Sequence, residues 1–136
     1  MANILTNEGK EKLLSGDIHW DTDLIRAQLV IGSPGSPLAA NFDDIPAANR
    51  TGSPVALTGK SVTNGIADAA DPVMTAVAAP AAGSPILQII VYFDSTVEST
   101  STIIAVLDTA TGLPVIANGG DISIVWDSGA NKIFAL

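Results

Sequence analysis

Hydrophobic and polar positions alternate with a period of two through much of this chain. Residues 24–31 show it best, with Ile25, Ala27, Leu29 and Ile31 on one face and Arg26 and Gln28 on the other. That pattern predicts a half-buried strand. Ser33-Pro34-Gly35-Ser36-Pro37 ends it, because prolines cannot continue a ladder. Ile86–Phe93 and Ile103–Leu107 are apolar on both faces, which predicts strands covered on both sides. Residues 99–136 read as strand, turn, strand, turn, strand. Ile122, Ile124 and Trp126 share one face of the middle strand, and 132–136 close the chain.

Residues 7–15 form the one helix candidate. Asn7 or Thr6 can cap it, Glu8 lies in the first turn, and Gly16 follows as a C-terminal stop. Gly9 weakens it, and Leu13 and Leu14 are expected to dock it on a sheet. Residues 33–53 read as irregular, except for one helical turn at Phe42-Asp43-Asp44-Ile45-Pro46 that buries Phe42 and Ile45. A weak strand is expected over 55–63, and Asn64-Gly65 is a strong hairpin-turn dipeptide. Residues 66–70 and 73–79 read as further short pieces, and 80–85 as a loop. Residues 33–82 are rich in alanine and proline and poor in large apolar groups. Such a segment buries little area, at roughly 25 cal/mol per Å², and it reads first as a set of short edge strands and loops, with ordering of part of it by a neighbouring subunit as the alternative.

No crossover helix joins any strands. The pattern therefore predicts an all-β fold: an antiparallel β-sandwich, jelly-roll-like, with one short N-terminal helix and the long irregular segment, in a single domain over 1–136.

Composition narrows the function classes. The net charge of −8 argues against nucleic acid and against an anionic membrane surface. With no cysteine, disulfides, thiolate zinc sites and Cys nucleophiles are excluded, and a reducing compartment of assembly is the simpler setting. The N-terminal residues do not form a signal peptide, and the longest apolar stretch, Ile86–Phe93, is too short to span a bilayer.

Candidate chemistry is thin. His19, Asp23 and Ser123 supply triad residue types, but no nucleophile-elbow or oxyanion-loop pattern accompanies them. Asp17, Asp21 and Asp23, the pair Asp43-Asp44, and Asp68 with Asp71 offer oxygen ligands for a hard cation without EF-hand spacing. Carboxylates in turns more often cap backbone N–H groups. Trp126 follows the apolar phase of its strand and is expected in the core; Trp20 is equally suited to core or surface. Gly16-Asp17-Ile18-His19-Trp20-Asp21 is partly echoed by Gly120-Asp121-Ile122-Ser123-Ile124-Val125-Trp126-Asp127. The spacings differ, so the two read as similar ways of entering a strand.

Several blocks carry a resemblance. They are Gly16 to Ile25, Asp43-Asp44-Ile45-Pro46, Leu57-Thr58-Gly59-Lys60, Thr109 to Val115, Asn118-Gly119-Gly120-Asp121-Ile122 and Trp126-Asp127. In this order, over nearly the whole chain, they resemble small virion structural proteins of tailed bacteriophages. The resemblance implies a non-enzymatic capsid decoration or cement protein on the head exterior, made in the host bacterial cytoplasm. Its implied partner is the major capsid protein, and its implied state a homotrimer. It implies no catalytic, metal or cofactor-binding residue. A tail or adaptor component and a carbohydrate- or cation-binding module are the alternatives.

Overall fold

The computed structural model describes residues 4–31, 40–79, 83–108, 113, 115–126, 129–130 and 132–136. The fold is all-β, with antiparallel sheets and a single α-helix among the described residues. The strands are β1 (Ile4–Leu5), β2 (Ile25–Ile31), β3 (Arg50–Ala56), β4 (Ser61–Thr63), β5 (Ile66–Asp68), β6 (Val73–Met74), β7 (Ile86–Phe93), β8 (Ile103–Leu107), β9 (Ile122–Ser123) and β10 (Phe134–Ala135), and α1 spans Asn7–Ser15. They form a five-stranded sheet in the order β1-β8-β7-β2-β3, a three-stranded sheet β10-β5-β4, and the pair β6-β9.

The helix has the expected ends. Thr6 Oγ1 accepts from Gly9 N–H at 3.0 Å, and Gly16 at φ 85° turns the chain out of the last turn. Its seating differs from expectation. Leu13 packs against the core, but Leu14 is 75% exposed. The buried helix residue is Gly9, set so close to β8 that a Cβ there would lie 2.7 Å from Ile104 Cα. The glycine that costs helix propensity is what lets the helix touch the sheet.

The strand β7 is third of five in the main sheet, and both of its faces are covered, as its apolar faces predict. A register shift between Val30 and Ile31 leaves Leu87 partly exposed. The strand β2 was expected to be half-buried, but Gln28 is only 1% exposed and Val30 is fully buried. The cause is a cover that alternation cannot reveal. The turn Phe42–Asp44 lays Phe42 and Ile45 over Val30, Ile90, Tyr92, Ile103 and Val106. Buried Gln28 is satisfied by the backbone. Its Nε2 donates to Thr51 O at 2.9 Å and Gly52 O at 3.1 Å, where the β2–β3 register shifts between Ala27 and Leu29.

The strand expected over 55–63 is split. The strand β3 runs Arg50–Ala56 and carries Gly52 and Pro54, which an edge strand tolerates because its outward side has no ladder partner. After a break, β4 and β5 form a hairpin closed by Thr63 and Ile66, with Asn64 and Gly65 both at positive φ (54° and 76°). This is the two-residue turn that Asn-Gly favours. Residues 80–82 of the loop expected at 80–85, and residues 109–112 and 114 between the first two strands expected within 99–136, lie outside the described residues.

Residues 99–136 do not form one meander. The strand β8 joins the main sheet, β9 pairs with β6, and β10 pairs with β5. Alternation at Ile122, Ile124 and Trp126 persists nonetheless: Ile124 and Trp126 are buried, while Ser123 and Val125 face out. Both small sheets pack on the opposite face of the main sheet. Ala67, Met74, Ile124, Trp126, Ile133 and Phe134 meet Ile25, Leu29, Ile89, Val91 and Ile104 in one core cluster. Residues 33–82 supply Phe42, Ile45, Leu57, Ala67, Ala69, Met74 and Val77 to the interior.

Candidate functional site

The echoed blocks converge in space. Trp20 and Trp126 both bury their rings, and both reach the backbone at and just after the end of β5. Trp20 Nε1 donates to Asp68 O at 3.0 Å, and Trp126 Nε1 donates to Ala70 O at 3.1 Å. Asp71 Oδ1 accepts from Trp126 N–H at 2.9 Å, and the ring of Trp20 meets Phe134 edge-on at 5.1 Å. Each indole thus pairs its one donor inside an apolar surround. Trp20, 4% exposed, is no sugar platform.

This clamp ties the turn that bears Asp21 and Asp23 to the end of β5 at Asp68 and to the residues up to Asp71. Lys60 joins them by donating from Nζ to Asp23 O. Several carboxylates here serve the backbone. Asp23 accepts from His19 N–H at 2.7 Å and Asp68 from Ala69 N–H at 2.9 Å. Elsewhere, Asp44 accepts from Asn41 N–H at 3.0 Å. Among the described residues, no three His, Cys, Asp or Glu side chains gather in a group able to hold a metal ion.

The triad types are not assembled. The His19 imidazole is 61% exposed, with Nδ1 3.6 Å from Asp23. Ser123 sits in β9 opposite Val73, and no hydrogen bond links it to His19.

A second constellation gave no sequence signal. Arg50 Nε donates to Ile45 O (3.0 Å) and Nη2 to Phe42 O (2.9 Å), while Nη1 pairs with Glu98 (2.9 Å). Its guanidinium lies 4.1 Å over the Phe42 ring, which stacks on Tyr92 at 4.2 Å and 11°. One cation thus ties the 42–50 strap to the 94–101 loop.

Charge is distributed unevenly by these contacts. Arg26 and Arg50 neutralise Asp94 and Glu98, while Lys12 and Lys60 turn to neutral oxygens at Thr102 and Asp23.

Among the described residues, the β4 edge is open to another chain. Ser61, Val62 and Thr63 are all exposed and uncharged, and β4 ends its sheet. Sheet edges are commonly blocked by proline, charge or a bulge. The strand β3 has Pro54 and a register shift, whereas β4 has neither.

Burial pushes the Tyr92 hydroxyl up to about 12, with Asp94 adding to the shift. The sign follows from linkage. Between pH 10 and 12 the unfolded chain has lost the phenol proton and the native protein keeps it, so stability falls as pH rises through that window. The loss is about 2–3 kcal/mol by its upper end. Tyr92 is the single tyrosine, so phenolate absorbance reports it alone. A native titration midpoint near 10 would show that the strap does not exclude water from this ring.

The chain matches no protein family and no curated protein.

Proposed function

We propose that this protein is a non-enzymatic structural component of a tailed-phage particle. In this reading it decorates the exterior of the assembled head by binding the major capsid protein. The observation that carries the reading is the order of the resembling blocks along nearly the whole chain. The fold gives those blocks a structural sense. The Gly16 to Ile25 block and the Trp126 block close on the backbone at and just after the end of β5, and Asp43-Asp44-Ile45-Pro46 forms part of the strap over the main sheet.

The proposed architecture is a jelly-roll-like sandwich, with the five-stranded sheet opposed by the smaller sheets, assembled as a trimer on the lattice. The proposed contact surface lies within 33–82 and centres on the exposed β4 hairpin. Such a contact is small, and a protein bridging several capsid subunits gains avidity from weak individual contacts.

Mixing the purified protein with undecorated, expanded capsids tests this. Co-sedimentation at micromolar protein is expected, together with its loss for Val62→Pro, which removes a backbone donor from the β4 edge. Wild-type protein that stays in the supernatant would sink the proposal.

A further inference from the structure

Two Asn-Gly pairs lie in exposed turns, Asn64-Gly65 and Asn118-Gly119, and the fold treats them differently. At the second, Asn118 Oδ1 accepts from Gly120 N–H at 3.0 Å, and Gly119 N–H donates to Val77 O at 2.8 Å. The carboxamide and the backbone nitrogen that would attack it are both held. At the first, the Asn64 carboxamide has no hydrogen-bond partner among the described residues. The loop is closed by the backbones of Thr63 and Ile66, and Gly65 contributes its carbonyl, which accepts from Leu136 N–H at 2.8 Å.

We propose that Asn64 is a site of self-catalysed backbone modification in the folded protein, and that Asn118 is protected. The Gly65 nitrogen attacks Asn64 Cγ and loses its proton. The new C–N bond closes a five-membered succinimide, and the side-chain amide leaves as ammonia. Water then opens the ring at either carbonyl, giving isoaspartate or aspartate. Glycine at the next position permits this because it has no Cβ to hinder the approach.

The consequence reaches β10. Isoaspartate lengthens the backbone by one methylene within a two-residue loop, whose geometry fixes the register of both flanking strands. The Leu136 anchor on Gly65 is lost with it, and one further negative charge appears in either product.

The test uses the intact wild-type protein, incubated at mildly alkaline pH and mapped by peptide mass spectrometry over time. Opening two hydrogen bonds before reaction should slow Asn118 by about tenfold or more relative to Asn64. In denaturant, with both pairs equally free, the two rates should converge. A clear folded-state preference for Asn64 that vanishes on unfolding supports the proposal. Equal rates in the folded protein, faster reaction at Asn118, an unreactive Asn64, or a preference that persists in denaturant would each overturn it.

Discussion

Replacing Gly9 by Ala is expected to destabilise this protein by about 2 kcal/mol, although alanine is the better helix former. Two effects oppose each other. Propensity alone favours alanine by up to about 1 kcal/mol inside a helix. Against that, the new methyl would lie 2.7 Å from Ile104 Cα, 2.8 Å from Thr6 Oγ1 and 3.1 Å from Ile103 O. Two of those neighbours are backbone atoms of β8, a fully buried strand that cannot yield as a flexible side chain does. The helix must lift instead, and Thr6 holds it down from both directions, donating to Ile103 O and accepting from Gly9 N–H. Overpacking of this kind typically costs about 1–3 kcal/mol, and more when backbone must move. Thermal unfolding should show a melting temperature lower by roughly 5–10 °C. Lys10→Ala, on the exposed side of the same helix, should stay within about 0.5 kcal/mol of wild type. A Gly9→Ala protein as stable as wild type would mean that α1 is not seated on β8 through this glycine.

Local chemistry was legible where it decides the outcome alone. The Thr6 and Gly16 caps, the Asn64-Gly65 turn, the Phe42 and Ile45 pair and the two-sided burial of β7 all follow from neighbours in sequence. What escaped depends on partners far along the chain. Gln28 reads as a solvent-facing position until the strap covers it and a β3 irregularity supplies carbonyls for its amide. The strand containing Pro54 reads as a loop until its position at the sheet edge removes the objection. The echo of Gly-Asp-Ile followed by Trp-Asp is visible in the sequence. That both indoles grip carbonyls two residues apart is not, because the blocks lie at opposite ends of the chain. The three closing strands looked like one unit because turns separate them regularly, yet turns do not say which sheet a strand joins.

Phe42→Ala is expected to cost about 3–5 kcal/mol and to bring the Tyr92 midpoint down from about 12 toward 10. That is the usual range for a buried phenylalanine, and its upper part is expected here for a structural reason. Arg50 holds the carbonyls of both Phe42 and Ile45, so the strap backbone cannot collapse into the space left by the ring, and cavities that cannot close cost most. The guanidinium would lose the aromatic face beneath it, and Tyr92 the ring stacked on it. Water then reaches the phenol, and desolvation, the main cause of its raised pKa, weakens. The two readouts separate two roles for the ring. Destabilisation with an unchanged Tyr92 titration would show that Phe42 fills space while other groups keep Tyr92 dry. A lowered midpoint identifies Phe42 as the group that shields it. Arg50→Lys sharpens the distinction: it keeps the charge but loses the planar fork to two carbonyls and Glu98. It should therefore loosen the strap and lower the Tyr92 midpoint in part, without creating a cavity under the ring.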